Sequence, residues 1–198
     1  MGKNLLNKEA YYEELLKINT KGRVDYFEDD DHHPYEATNY EVLELLKDSN
    51  LIQDKDIIVD YGSGKGRVAC FLAKLLNIQV KGIEFNEELY DIAINNALHD
   101  ERITFYLMDA LDYQPVNENI YFFFHPFPIH ILRKVVQNII DSYYQNPRKC
   151  YIIVYYPSSE YMDYLLHLDA LCLIEMIDCR KVLNSDDYRE CLTVFEID

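Results

Sequence analysis

The chain has 198 residues, of which 49% are hydrophobic, and it carries a formal net charge of −16 at pH 7. No apolar run approaches the roughly 18 residues that a membrane-spanning helix needs, so we expect a soluble protein. The negative charge repels polyanions, and we therefore expect nucleic acid to be disfavoured as a partner and a protein or small molecule to be favoured.

The five cysteines form no CxxC pair, which argues against both a disulfide framework and a zinc site. We predict a cytoplasmic protein with no bound metal and with one domain over residues 1–198. Residues 1–50 are expected to form an N-terminal helical lid, and residues 51–198 a Rossmann-like core. Nothing in the sequence indicates an oligomeric state.

Two amphipathic helices are predicted near the N-terminus, over residues 7–18 and 39–48, where apolar side chains recur at helical spacing. The segment FEDDDHHPY between them, residues 27–35, is rich in acidic and turn-forming residues and is predicted to be a loop. Residues 29–33 are potential metal ligands, but adjacent side chains point in different directions, so a solvated loop is favoured.

From Ile57 onward, short apolar runs alternate with helical patterns, which is typical of a parallel sheet flanked by helices. The predicted strands cover residues 57–61, 79–84, 103–107, 120–124, 150–156, 172–177 and 191–197. The link between the last two strands is too short and polar for a crossover helix, so these strands should pair antiparallel. We predict an α/β fold: a seven-stranded, mostly parallel sheet whose last strand is antiparallel, with helices on both faces.

A glycine-rich turn follows the first strand in the segment IIVDYGSGKG, residues 57–66. Its spacing is GxGxG rather than the GxGxxG of dinucleotide-binding enzymes, and Asp60 stands two positions before the first glycine. A carboxylate at that place would attract an ammonium group and repel a pyrophosphate. The turn therefore favours a ligand that joins an amino acid to a nucleoside.

Two further acidic residues follow the next two strands. Glu84 ends the second strand, where an acidic side chain can accept hydrogen bonds from both ribose hydroxyls. Asp109 follows the third strand and could accept a hydrogen bond from an adenine amino group, with the Ala110 backbone at the ring edge. These ends of parallel strands form the crevice in which open α/β sheets bind ligands.

Together these motifs resemble the class I (Rossmann-like) S-adenosylmethionine (SAM)-dependent methyltransferase family, and the resemblance implies SAM as cofactor and S-adenosylhomocysteine as product. The implied cofactor-binding set is Asp60, Tyr61, Gly62, Ser63, Gly64, Gly66, Glu84, Phe85, Asp109 and Ala110, with Phe85 beside the adenine. Two plainer interpretations stay open. The glycines could form only a tight turn, and the acids could be residues that a helix dipole stabilises.

The fourth strand runs into FFFHPFP, residues 122–128. Amino-methylating members of the family often have Asn or Asp here, then proline and an aromatic residue, and these groups hold and cover the target amine. The resemblance makes His125, Pro126 and Phe127 the catalytic candidates, although His125 departs from the family's pattern. Three roles stay open for His125: a base, a hydrogen-bond acceptor, or a polar residue that closes the strand.

The segment PYEATNYEVLELL, residues 34–46, resembles one that packs over the methionine end of SAM in adenine-methylating relatives. That resemblance implies cofactor contacts for Tyr35 and Thr38. The alternative is a capping box, since Thr38 and Glu41 have the spacing Thr-x-x-Glu before an apolar helix. Tyr155, Tyr156 and Pro157, which follow the fifth strand, are candidates to line the acceptor pocket.

The predicted function is a SAM-dependent methyltransferase that acts on a nitrogen or oxygen of a protein or small molecule. Two alternatives stay open. The HPF motif favours a nucleic-acid base methyltransferase, but the negative net charge argues against it. A non-catalytic SAM-binding module would explain the unusual His125.

Overall fold

The computed structural model describes residues 8–22 and 36–198. The helices are α1 (Lys8–Leu16), α2 (Tyr40–Asp48), α3 (Arg67–Leu76), α4 (Glu87–Asn96), α5 (Ile129–Gln145), α6 (Ser159–Leu166) and α7 (Arg180–Leu183). The strands are β1 (Ile57–Tyr61), β2 (Gln79–Glu84), β3 (Ile103–Leu107), β4 (Ile120–Phe123), β5 (Tyr151–Tyr155), β6 (Leu171–Asp178) and β7 (Cys191–Ile197).

The seven strands form one sheet in the order β3-β2-β1-β4-β5-β7-β6. All neighbouring pairs are parallel except the two that include β7, which is antiparallel to β5 and to β6. The predicted fold is thus confirmed. The link between β6 and β7 contains only the four-residue helix α7, in agreement with the expectation that it is too short for a crossover.

The order of the strands creates a crevice at β1. From β1 the chain first builds outward through β2 and β3, and it then returns to place β4 on the other side of β1. Ligands bind at such a switch point, next to the carboxyl ends of the strands.

The two faces of the sheet bury separate apolar clusters, because successive side chains of a strand point to opposite faces. On β1, Ile58 belongs to the cluster that α2 and α3 cover, whereas Val59 and Tyr61 belong to the cluster that α5 covers. Asp60 shares the face of Ile58 by this alternation.

The helix α2 begins one residue later than a capping box would require. Its N-cap is Asn39, whose side chain makes no capping hydrogen bond, and its first helical residue is Tyr40. The capping-box interpretation of Thr38 is therefore wrong, because Thr38 precedes the cap position.

Within residues 8–22 and 36–198, no helix is long and apolar enough to cross a membrane.

Gly66 precedes α3 with φ +82°, and a Cβ atom there would lie 2.6 Å from Phe105 Cζ and 3.3 Å from Ala93 Cβ. Gly22 has a similar φ of +84° but no atom within 4 Å of such a Cβ. We expect Gly22→Ala to lower the free energy of unfolding by about 1 kcal/mol, from backbone strain alone. Gly66→Ala should lower it by about 3 kcal/mol, because overpacking is added to that strain.

Urea denaturation of the two variants measures the difference. Equal losses for Gly66→Ala and Gly22→Ala would contradict a packing role for Gly66.

Candidate cofactor and acceptor site

A pocket of about 890 Å³, counting the open space at its mouth, lies at the carboxyl ends of the central strands. Most of the predicted site residues line it together. They are Thr38, Asp60, Gly62, Ser63, Gly64, Glu84, Phe85, Asp109, Ala110, His125, Pro126 and Phe127. Tyr35 lies outside the described residues.

Two predicted cofactor residues do not line the pocket. Tyr61 is 1% exposed and its ring stacks on Phe123 at 4.9 Å, on the opposite face of the sheet from Asp60. Gly66 lies where α3 packs closely on Phe105, as the short distance to its Cζ indicates. Both residues pack next to the glycine-rich turn without lining the pocket.

Backbone hydrogen bonds fix the glycine-rich turn to the end of β2. Gly62 N–H and Ser63 N–H both donate to the carbonyl of Ile83, at 2.9 and 3.0 Å. Gly66 N–H donates to Ser63 O at 2.8 Å, which closes the turn before α3. The positive φ angles of Gly62 and Gly64, 73° and 53°, explain why glycine is needed at these two places.

The Glu84 carboxylate connects two turns of the pocket. One oxygen accepts a hydrogen bond from Gly64 N–H at 2.8 Å, and the other accepts one from Asn86 N–H at 2.9 Å. The residue is only 4% exposed. A carboxylate oxygen has more than one acceptor site, so Glu84 can hold the turns and still accept hydrogen bonds from a ligand.

Asp60 is the group whose chemistry most strongly indicates a ligand. It is 3% exposed, and its Oδ2, like Ser63 Oγ, has no hydrogen-bond partner among the described residues. Burial, and then repulsion by Glu84, raise the pKa of Asp60 to about 8. A buried polar atom without a partner is rare in folded proteins. A cationic donor in the pocket would provide the missing partner, which fits an amino-acid ammonium group.

The far end of the pocket is more open. Phe85 is 39% exposed, and Asp109 is also exposed. Asp109 Oδ1 accepts a hydrogen bond from Leu111 N–H at 2.8 Å, so it stabilises the turn after β3. The α-helix after this loop begins only at Ile129, and Asp109 is therefore not the N-terminal acid of a helix.

The loop after β4 contacts the glycine-rich turn directly. A Cβ atom on Gly62 would lie 2.5 Å from Pro126 Cβ, so the absence of a side chain at Gly62 permits this contact. His125 has a φ of 41°, which is unusual for a residue with a side chain. Phe127 is 4% exposed and packs edge-on against Phe123 at 6.1 Å.

Tyr161 supports this loop and was not predicted from the sequence. The residue lies in α6, is 1% exposed, and donates a hydrogen bond from its hydroxyl to the carbonyl of Phe127. Its ring centroid lies 4.7 Å from that of His125. No local pattern marks Tyr161, because it meets its partners across 34 residues of sequence.

Arg67, the first residue of α3, attaches the N-terminal segment to the pocket. Its Nε donates to Thr20 Oγ1 at 2.7 Å, its Nη1 to the carbonyl of Thr38 at 3.2 Å, and its Nη2 to Glu9 at 2.8 Å. Its guanidinium carbon lies 4.5 Å from the centre of the Tyr40 ring. Thr38 is thereby held against the pocket by its backbone.

Glu13 completes this cluster. It is 7% exposed, lies 3.4 Å from Arg67 Nη2, and accepts hydrogen bonds from Tyr40 OH and Thr20 N–H, both at 2.8 Å. The guanidinium of Arg67 thus joins α1, α2 and α3 at one buried point. Sequence analysis missed both Arg67 and Glu13.

Among the described residues, no group of three or more His, Cys, Asp or Glu side chains is arranged to hold a metal ion. The potential metal ligands at 29–33 lie outside those residues. Tyr155, Tyr156 and Pro157 do not line the pocket.

Comparisons with known proteins agree with this geometry. The family described as a methyltransferase domain matches residues 58–145. An rRNA adenine N-6-methyltransferase from Streptococcus sanguinis is 28% identical over 104 residues, which are 52% of this chain and 42% of that protein. Four further relatives with the same name are 27% identical. The matched stretch therefore spans less than half the length of these relatives.

Solved structures share the fold. An RNA methyltransferase from Salinibacter ruber in complex with S-adenosylhomocysteine has a TM-score of 0.58 at 14% identity, over 82% of this chain and 92% of that one. Phosphoethanolamine N-methyltransferase 1 from Haemonchus contortus has a TM-score of 0.61 at 13% identity, over 79% of this chain and 42% of that one. The fold thus serves acceptors of different classes.

The expectation that nucleic acid is disfavoured as a partner is wrong, because the sequence relatives are rRNA methyltransferases. The expectation rested on the net charge of the whole chain. Charges further apart than about 8 to 10 Å are largely screened at physiological salt, so the surface beside the pocket matters more than the total.

Asp60→Asn tests whether the Asp60 carboxyl is destabilising in the ligand-free protein. Its pKa rises from the ordinary 3.8 of an aspartate to about 8 in the fold, so between these pH values the folded state keeps a proton that the unfolded chain has lost. Stability therefore falls as pH rises through this window and levels off above it. The side chain of Asn does not ionise, so the variant lacks this contribution to the pH dependence of stability.

We expect the unfolding free energy of Asp60→Asn, relative to the wild type, to increase between pH 5 and 8 by at most about 1.4 kcal/mol per pH unit. Urea denaturation at pH 5, 6, 7, 8 and 9 measures it. A constant difference across this range would contradict the raised pKa.

Arg67→Met tests the attachment of the N-terminal segment. It leaves the Glu13 carboxylate buried without its cation, and we expect a loss of about 3 kcal/mol in unfolding free energy. Arg102→Met is the matched control, since the side chain of Arg102 is 30% exposed and pairs with Asp100 near the surface. That control should lose about 1 kcal/mol or less. Similar losses for the two variants would contradict the central position of Arg67.

Proposed function

We propose that this chain, whose residues 58–145 match a methyltransferase domain, transfers the methyl group of SAM to an amino nitrogen of a nucleic-acid base. Adenine N6 in RNA is the first candidate, since the sequence relatives are rRNA adenine N-6-methyltransferases. The observation that carries the proposal is the contact of the His125-Pro126-Phe127 loop with the turn at Gly62, beside the unpartnered Asp60. This contact brings the residues that would hold the acceptor into the same pocket as the residues that would bind the cofactor.

The lining of the pocket offers one polar or aromatic group for each part of the cofactor. Asp60 would accept a hydrogen bond from the amino-acid ammonium, and Glu84 from the ribose hydroxyls. Asp109 and Phe85, at the open end of the pocket, would contact the adenine. The bound cofactor supplies an electrophilic methyl group on a sulfonium, and the remaining requirements are binding and alignment of the acceptor.

The His125-Pro126-Phe127 loop would align the acceptor with the methyl group. An exocyclic amino group of a base is a weak nucleophile, and holding it in line with the methyl group supplies most of what the transfer needs. We propose that His125 accepts a hydrogen bond from this amino group, the second of the three roles open to it. Tyr161 keeps His125 and the Phe127 carbonyl in place through its ring and its hydroxyl.

The experiment is a methyl-transfer assay with labelled SAM and three separate acceptors: deproteinised RNA, DNA and protein extract. We expect label in RNA, recovered as N6-methyladenosine after digestion to nucleosides. Asp60→Ala should abolish labelling through loss of cofactor binding. His125→Ala should retain S-adenosylhomocysteine binding by calorimetry and lose about 10- to 100-fold in transfer rate.

Other outcomes are equally informative. Label in protein extract alone would overturn the acceptor class. Binding of S-adenosylhomocysteine without transfer to any of the three acceptors would favour a non-catalytic SAM-binding module.

A further inference from the structure

Two bulky residues at neighbouring strand ends have left-handed backbone conformations. His125 follows β4 with φ 41°, and Tyr156 follows the adjacent β5 with φ 52°. In residues 8–22 and 36–198, every other non-glycine residue with positive φ is a Lys or Asn. Such strain in a large side chain persists only where the surroundings fix it, and it clusters at functional sites. His125 lines the pocket, whereas Tyr156 lies just outside it.

Aromatic rings connect Tyr156 to the pocket. Phe124 lines the pocket, and its ring centroid lies 4.6 Å from that of Tyr155 and 6.5 Å from that of Tyr156. The guanidinium carbon of Arg189 lies 4.5 Å from the centre of the Tyr156 ring. A row of flat groups therefore runs from the mouth of the pocket to Arg189.

The outer part of this row is held rigidly by Asp187. Tyr156 OH donates to Asp187 Oδ2 at 2.8 Å, and Arg189 donates to the same carboxylate from Nε at 3.1 Å and from Nη2 at 2.7 Å. Tyr156 N–H also donates to Cys191 O at 3.1 Å, which connects it to the start of β7. The stack of Arg189 on Tyr156 is thus formed before any ligand binds.

One side of this stack is accessible to solvent. The side chain of Arg189 is 42% exposed although its guanidinium lies on Tyr156. Tyr188, the preceding residue, is 76% exposed. A planar guanidinium that stacks on a ring can also stack on a nucleic-acid base.

The charges of this region indicate how it would bind a nucleic acid. Residues 178–190 contain three basic and four acidic side chains, and both Arg180 and Arg189 are paired with aspartates. Attraction of phosphates is therefore weak here, and stacking is the interaction that the surface offers. Stacking needs a base whose face is accessible, which single strands present and duplexes do not.

We propose that Tyr156, Tyr188 and Arg189 form a stacking platform for a base of single-stranded nucleic acid next to the base that enters the pocket. This inference rests on the proposed function and adds the form of the substrate that it requires. The platform lies on the β5 side of the His125-Pro126-Phe127 loop, so the strand would run from the pocket past Phe124 to the flanking base.

Fluorescence anisotropy with a 5′-fluorescein-labelled ten-nucleotide single-stranded RNA of A and U, with S-adenosylhomocysteine present, tests the platform. Arg189→Lys keeps the positive charge but removes the planar guanidinium group. Tyr188→Ala removes an exposed aromatic ring. Tyr144→Ala is the matched control, because Tyr144 is 61% exposed near the end of α5, which leads to the amino end of β5, whereas Tyr156 follows the carboxyl end of that strand.

We expect the Kd for RNA to rise about fivefold or more in Arg189→Lys and in Tyr188→Ala and to stay unchanged in Tyr144→Ala. The dependence of log Kd on log salt should be the same in Arg189→Lys and in the wild type, since the charge is kept. The Kd for S-adenosylhomocysteine, measured by calorimetry, should be unchanged in all three variants.

Three failures are distinguishable. Wild-type binding of the RNA with equal affinity in Arg189→Lys and Tyr188→Ala would overturn the platform and leave the proposed function intact. Absence of binding to any single-stranded RNA or DNA by the wild type, with cofactor binding retained, would overturn the proposed acceptor and the platform together. Equal affinity for a duplex of the same sequence would overturn the single-strand requirement.

Discussion

The pocket depends on two buried carboxylates, Glu84 and Asp60. Glu84 has backbone hydrogen-bond partners, whereas Asp60 Oδ2 has none among the described residues. Glu84 accepts backbone N–H groups from the glycine-rich turn and from the turn before α4, and so it fixes the shape of the cofactor end. Its charge, together with burial, raises the pKa of Asp60. The same pair therefore provides both a rigid frame and an unsatisfied acceptor, and the second property makes a cationic ligand the natural complement of the site.

Arg67 links the N-terminal segment to the pocket. Arg67 stands where the glycine-rich turn becomes α3, and the carboxylates and oxygens that surround it come from α1, from Thr20 and from Thr38. Arg67 therefore connects Thr38 with the end of the glycine-rich turn, and residues of both segments line the pocket. Tyr12 adds to this attachment, since its ring stacks on Tyr40 at 4.9 Å and its hydroxyl donates to Glu44 at 2.6 Å.

The fold and most of the pocket could be predicted from the sequence because their signals are local. Apolar runs define the strands, and the glycines and acids stand at strand ends. Strand alternation also separates Asp60 from Tyr61, because successive side chains of a strand point to opposite faces of the sheet. Arg67 and Tyr161 could not be found in this way, since their partners lie 29 to 58 residues and 34 residues away. The expectation that nucleic acid is disfavoured as a partner was wrong because net charge describes the whole molecule and not the surface beside the pocket.

The unpartnered Asp60 has a consequence for how long the protein would survive in a cell. Proteases degrade chains from their opened states, and a ligand that binds only the folded state reduces the population of those states. Asp60 Oδ2 has no hydrogen-bond partner in the part of the chain that the structure describes, and a ligand that pairs with it in the pocket would bind the folded state alone. The lifetime of this protein would then follow the supply of its cofactor, so that the abundance of the enzyme reports the metabolic state on which its reaction depends.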